Sequence, residues 1–270
     1  MDRNTALAAD ADNDQLSDSQ KVMGTQTLVR GLALLECVAD GVSYVKGISS
    51  RLGTRRSTTH RMLSSLVAEG YLHHVPYRGY TLGPQLIRLG ARALEQRPVV
   101  GIARPHLEAL ARRTADTVHL GVRDGNRVLY LEKIPGARGL EMRSRIGQQM
   151  PLALTSLGKT MMFGMPREKW RELYDEGLTM VSGDARPLRW EDYEPQLDAA
   201  RVRGWAYDFE ENELGVRCLG APVHDISGAI IASISIASPV FYMSEARMAE
   251  LGPVLRATAD TISRELGWGS

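Results

Sequence analysis

The chain has 270 residues, 43% hydrophobic and 24% charged, with a formal net charge of +1. These are values of an ordinary globular protein of about two domains, not of a disordered, collagen-like or coiled-coil chain. The most apolar stretch, 228–243, is interrupted by Ser233, Ser235, Ser238 and Pro239, short of the ~20 apolar residues of a membrane span. No basic and then apolar leader opens the sequence, so a soluble, cytoplasmic protein with no membrane partner is expected. Cys37 and Cys218 form no CxxC pair, which argues against a disulfide framework and against a zinc site.

Residues 1–23 carry Asp2, Asp10, Asp12, Asp14 and Asp18 against Arg3 and Lys21, and read as a disordered acidic arm. Beyond it the balance reverses. Residues 41–90 hold Lys46, Arg51, Arg55, Arg56, Arg61, Arg78 and Arg88 against Glu69 alone, a local basic patch of the kind that neutralises phosphates. Just before it, Leu28, Leu32, Leu35 and Val38 recur at helical spacing from Thr25 to about Asp40. A second helix fits Val45–Leu52, closed by Gly53. A third fits Arg55–Ala68, with Thr54 able to cap it.

Two helices joined by a tight turn make a helix-turn-helix, whose second helix reaches base edges with its N-terminal residues. Here these are Thr54, Arg55, Arg56, Ser57, Thr58, Thr59, His60 and Arg61. All are hydrogen-bond donors; arginine suits guanine, and the hydroxyls suit phosphates. Tyr71–His74 and Gly79–Leu82 then read as a hairpin whose basic tip, Arg78, would extend the grip as a wing.

At this point the chain resembles the IclR family of bacterial transcriptional regulators. The resemblance rests on RGLALLE (30–36), STTHRMLSSLVAEGYL (57–72) and GYTLGPQLIRLG (79–90). It continues in TVHLGVRDG (117–125), RSRIGQQMPLALTSLGK (143–159) and RGWAYDFEENELGVRCLGAPV (203–223). It implies an α+β protein of two domains. A winged helix-turn-helix over 24–83 would be joined by a linker and dimerisation helix, 84–97, to a GAF-like effector-binding domain, 98–270. In that second domain a antiparallel sheet would be flanked by helices. The partners implied are a double-stranded DNA operator, a small organic acid (sugar, keto or aromatic) and a second copy of the chain, as a dimer or a dimer of dimers. No cofactor and no metal are implied.

In the second half, strands fit Thr117–Val122, Val128–Ile134, Leu140–Arg143, Trp205–Phe209, Leu219–Val223 and Ala229–Ala237, and a long helix fits Ser244–Leu266. Thr155 can cap a helix running to about Gly164. Its exposed N–H groups would attract an anion, and Gly158 would let a ligand approach closely. Alternation over 140–145 puts Leu140, Met142 and Ser144 on one strand face, and Arg143 and Arg145 on the other, away from the cavity.

The resemblance implies that Leu140 and Met142 form the apolar wall of an effector site. It puts Ser156 and Leu157 at the helix start, and Asp208, Cys218 and Ser235 inside the pocket. Ala237 stands where the family can have a second serine, and Leu157 where some members have a smaller residue. No phosphate-loop, dinucleotide, zinc-protease or serine-elbow motif is present. The competing reading is an enzyme for a small acid using Cys218, His119 and Asp208, and a third is a sensor that binds only a partner protein.

Overall fold

The computed structural model describes residues 25–138, 142–181 and 184–269; the acidic arm expected over 1–23 lies outside them. The chain divides into two compact units, 1–93 and 94–270.

The first unit begins with three helices, α1 (Gln26–Ala39), α2 (Val45–Arg51) and α3 (Arg56–Ala68). The hairpin of β1 (Leu72–Val75) and β2 (Gly79–Leu82) follows, and then α4 (Pro84–Glu95). The helices and hairpin close over a core of Leu34, Cys37, Val38, Ile48, Leu63, Leu72 and Tyr80. The stripe expected to bury α1 is therefore rotated: Leu34, Cys37 and Val38 face the core, while Leu28 and Leu32 stay 64% and 53% exposed. α4 buries no residue at all. Gly53, at φ +61°, supplies the left-handed residue of the helix-turn-helix turn.

The second unit opens with α5 (Pro98–Thr114), which leads into β3 (Thr117–Asp124) and β4 (Arg127–Ile134). β5 (Gln149–Pro151) follows, then α6 (Ser156–Met161), α7 (Arg167–Leu178), α8 (Trp190–Arg203) and β6 (Ala206–Phe209). β7 (Val216–His224), β8 (Ile230–Pro239) and α9 (Glu245–Glu265) complete it. The six strands form one antiparallel sheet in the order β5-β4-β3-β8-β7-β6.

Strand alternation gives this sheet two unlike faces. Val118, Leu120, Val122, Ile234 and Ile236 pack with α5 and α9 into one apolar core. The intervening positions, His119, Gly121, Ser233 and Ser235, are small or polar. The buried helix α6 lies against this second face. It sits so close that a Cβ on Gly220 would fall 2.2 Å from Ser156 O. α7 and α8 cover it from outside through Trp170, Leu173, Tyr193 and Leu197.

Of the strand expected over Leu140–Arg143, Met142 and Arg143, the described residues, are in no strand. Leu140 lies outside the described residues, and the Lys133 ammonium donates to Met142 O (2.6 Å) and Ser144 O (2.7 Å), acceptors that a ladder would need. The β4 edge is taken by Gln149–Pro151 instead.

Candidate functional site

In the first unit, α3 starts at Arg56, with Arg55 as its N-cap and no side-chain cap bond. The expected cap, Thr54, has its hydroxyl bonded to that of Thr59 at 2.7 Å. Thr59 is itself fully buried. It lies one turn before Leu63 on the inward face, so its side chain holds the turn between the helices and is withdrawn from any DNA-facing set. Arg55, Arg56, Ser57, His60 and Arg61 are exposed, and Thr58 is half-buried.

The first turn of α3 holds no acid, although a helix N-terminus favours anions and disfavours cations. Among the described residues, Arg55, Arg56 and Arg61 join no ion pair; the pair found in this unit is Arg51 with Asp40. Uncompensated arginines at the positive end of a helix lower its stability. They are placed for an external anion rather than for the fold.

The hairpin tip carries Arg78, exposed, and Tyr77, 98% exposed. Tyr77 was not singled out from the sequence, where a lone aromatic beside Pro76 reads as ordinary turn. The tip is tied down from behind. The Tyr44 hydroxyl donates to Tyr77 O at 2.9 Å and the Tyr80 amide to Ser43 O at 2.7 Å.

In the second unit, a cavity of about 60 Å³ lies between the polar sheet face, the start of α6 and the segment 142–148. Met142, Ser156, Leu157, Asp208, Cys218, Ser235 and Ala237 all line it. Tyr130, Thr155, Asn212 and Glu213, which the sequence reading does not place in the pocket, line it too, as does His119, which it places there only in the enzyme reading. For His119 the signal was present: a polar residue at the alternate position of an otherwise apolar buried strand. Because 142–144 is not a strand, Met142, Arg143 and Ser144 all line the cavity, and the expectation that Arg143 points away is corrected.

The lining is held by a polar network. His119 is stacked on Tyr130 (ring centroids 5.0 Å apart) and bonded through Nε2 to Ser144 Oγ at 2.8 Å and through Nδ1 to Ser235 Oγ at 3.3 Å. Burial, and then the Lys133 charge, push its pKa down to about 3, so the ring is neutral. Asp208 accepts from the Glu211 amide at 2.8 Å. Burial, and then the neighbouring Glu211 charge, push its carboxyl up to about 7. Behind it, fully buried Lys159 donates to Glu211 Oε1 at 2.5 Å and to Tyr207 O at 2.8 Å.

At the start of α6 the Thr155 hydroxyl accepts from the Gly158 amide at 3.1 Å, as a cap should. Gly158, however, is required by packing: a Cβ there would lie 1.9 Å from Leu152 O. It does not serve ligand approach.

Cys218, His119 and Asp208 thus meet around one cavity, but not as a catalytic set. Burial pushes the Cys218 thiol well above its ordinary value, against thiolate formation. The hydrogen bonds of His119 go to the two serines rather than to the thiol. Among the described residues no group of three or more His, Cys, Asp or Glu could hold a metal. Nor is any helix among them long and apolar enough to cross a membrane.

Comparison with known proteins agrees with this division of the chain. Residues 27–76 match the IclR helix-turn-helix domain, and residues 91–264 match the bacterial transcriptional regulator IclR C-terminal domain. The chain is 34% identical to the DNA-binding transcriptional repressor YiaJ of Escherichia coli, over 95% of this chain and 93% of that protein. Among solved structures, the IclR protein of Thermotoga maritima is similar at 28% identity and a TM-score of 0.73, covering 90% of this chain and 99% of that one. An IclR homologue of Microbacterium hydrocarbonoxydans, crystallised with 4-hydroxybenzoate, shares the fold at 22% identity and a TM-score of 0.74, covering 89% and 98%. These relatives are regulators and not enzymes. The chain, with its helix-turn-helix unit followed by a curled antiparallel sheet flanked by helices, belongs to the IclR family of bacterial transcriptional regulators.

Proposed function

We propose that this regulator grips its operator with Arg55, Arg56, Ser57, Thr58, His60 and Arg61 of α3 and with Tyr77 and Arg78 of the wing. A small organic acid in the cavity would alter that grip. The observation that carries the reading is the set of unpaired arginines at the positive end of α3, which an array of phosphates and guanine edges would satisfy.

The acid is supported by the cavity's chemistry. Hydroxyls, the Arg143 guanidinium and a neutral imidazole line it with Glu213 and Asp208; below about pH 7 the Asp208 carboxyl is largely protonated and adds no repulsion to a ligand carboxylate. At the ~10–15 Å³ that one water-sized group needs, a cavity of about 60 Å³ suits a short acid. The Microbacterium neighbour was crystallised with a larger acid, 4-hydroxybenzoate. By linkage, the acid changes DNA affinity only through its unequal affinity for the DNA-bound and free states.

A second copy of the chain is the partner that the exposed apolar residues of the first unit suit: Leu28 and Leu32 on α1, Ile87 and Leu89 on α4. A homodimer would present two recognition helices to a palindromic site. Leu32→Asp combined with Ile87→Asp is expected to yield monomers in analytical ultracentrifugation, and an unchanged assembly would refute this interface. For the effector, 4-hydroxybenzoate, pyruvate and gluconate are titrated into the complex of the protein with the duplex upstream of its own gene. A shift in DNA affinity with at least one acid is expected; no shift with any of them would remove the acid from the account.

A further inference from the structure

We propose that Arg143 is the carboxylate-recognising residue of the cavity, and that the ligand it orients carries hydroxyl groups at its other end, toward Asp208 and Glu213. This rests on the reading of the cavity as an acid site, and it adds the ligand's polarity and the residue that reads it.

The cavity is polarised from end to end. At one end, on the segment that follows the β4 edge of the sheet, lie Arg143 in the lining and Lys133 behind it. Among the described residues, neither meets a carboxylate within ion-pair distance. The Lys133 ammonium is bound instead by the carbonyls on both sides of Arg143, Met142 O at 2.6 Å and Ser144 O at 2.7 Å. One cation therefore fixes the backbone that carries the other, and Ser144 is tied down a second time through His119 Nε2 at 2.8 Å. With its backbone held this way and no ion pair to any described residue, the exposed Arg143 guanidinium is free to take a bidentate carboxylate.

At the other end, on β6 and the turn after it, lie Asp208 and Glu213. The buried acid beside them, Glu211, has its charge met by Lys159. The sheet order puts β4 and β6 four strands apart on a curled sheet, so the two ends are different places in one cavity. Burial is the main cause of the depressed His119 and the raised Asp208; the Lys133 charge adds to the first and the Glu211 charge to the second. A carboxyl group accepts hydrogen bonds in either protonation state, whereas an arginine only donates. The molecule that satisfies both ends is an acid at one end and a hydroxyl donor at the other.

The test is isothermal titration calorimetry of the full-length protein with three acids and their amides: gluconate and gluconamide, lactate and lactamide, 4-hydroxybenzoate and 4-hydroxybenzamide. Hexanoate serves as the acid without hydroxyls. Wild type is expected to bind at least one acid about tenfold or more tighter than its amide, as befits a charge-assisted pair at a partly exposed arginine. Arg143→Gln should bring acid and amide to within about twofold while leaving the amide's affinity unchanged. Arg143→Lys should keep part of the preference. Arg145→Gln, which removes an equal charge from the same segment but outside the lining, should keep all of it.

Acids that bind wild type and Arg143→Gln with the same preference over their amides would overturn this assignment and leave the acid site standing. Equal loss in Arg145→Gln would reduce Arg143 to general charge and overturn it as well. Hexanoate binding as tightly as gluconate would overturn the hydroxyl end. Failure of every acid and amide to bind wild type would overturn the acid reading itself.

Discussion

Lys159 and Glu211 form an ion pair at the heart of the second unit, with side chains 2% and 0% exposed. Replacing the lysine in Lys159→Met keeps most of the volume but leaves Glu211 buried without a cation. Its second oxygen, Oε2, already has no hydrogen-bond partner among the described residues. Breaking a buried pair from one side costs about 3–5 kcal/mol, and the hydrogen bond from Nζ to Tyr207 O is lost as well, about 1 kcal/mol more. Removing both charges in Lys159→Met with Glu211→Leu takes away the stranded carboxylate, so the double variant is expected to recover about 2–3 kcal/mol relative to the single one.

All four tryptophans, Trp170, Trp190, Trp205 and Trp268, belong to the second unit. Urea unfolding followed by tryptophan fluorescence therefore reads this unit selectively. The Lys159 charge holds the Asp208 pKa down; without it that group rises further, so the deficit of Lys159→Met should be larger at pH 8 than at pH 5. A double variant no more stable than Lys159→Met would refute the reasoning, because the pair would then carry no coupling.

Asp208 gives a second pH test. Its folded pKa, about 7, lies above the ordinary unfolded value of about 4, so the folded state holds its proton more tightly and stability falls as pH rises between these values. Asp208→Asn should therefore gain stability over wild type above pH 7 and lose that advantage below about pH 4; a pH-independent difference would contradict it. Gly79→Ala would put a Cβ 2.2 Å from Ser43 O at a residue with φ +82°, and should distort the wing. DNA affinity is expected to fall while ligand binding is kept, and unchanged DNA binding would clear the wing. Arg56→Ala should weaken DNA binding by about 1–3 kcal/mol if the arginine meets a base, or lower the salt slope by about one if it meets a phosphate. A series of salt titrations separates the two, and no change in either would remove Arg56 from the interface.

Much of this was legible in the sequence where one local rule decided the outcome. Apolar spacing and a terminating glycine located α2 and α3, the strand patterns over Thr117–Val122 and Val128–Ile134 located β3 and β4, and Thr155 does cap α6. The errors occurred where tertiary contacts decided. The apolar stripe of α1 was read as its buried face, yet Leu28 and Leu32 are exposed because the core lies toward Leu34 and Cys37. Thr54 looked like a cap, but Thr59 recruits its hydroxyl. The alternation over 140–145 looked like a strand, but a lysine from β4 takes the carbonyls of Met142 and Ser144. That error hid Arg143, since a face assignment holds only where the strand does. Gly158 looked like a ligand's neighbour and is instead Leu152's. No sequence spacing shows which backbone will press against a glycine.

The most direct test of the account is selection of sheared genomic DNA on the purified full-length protein, followed by fluorescence anisotropy of the recovered fragments against a scrambled duplex across a salt series. The account predicts a small set of fragments sharing a two-fold symmetric sequence, bound far more tightly than the scrambled duplex, with affinity falling steeply as salt rises. Recovery of fragments with no shared sequence, or no binding even at low salt, would contradict it.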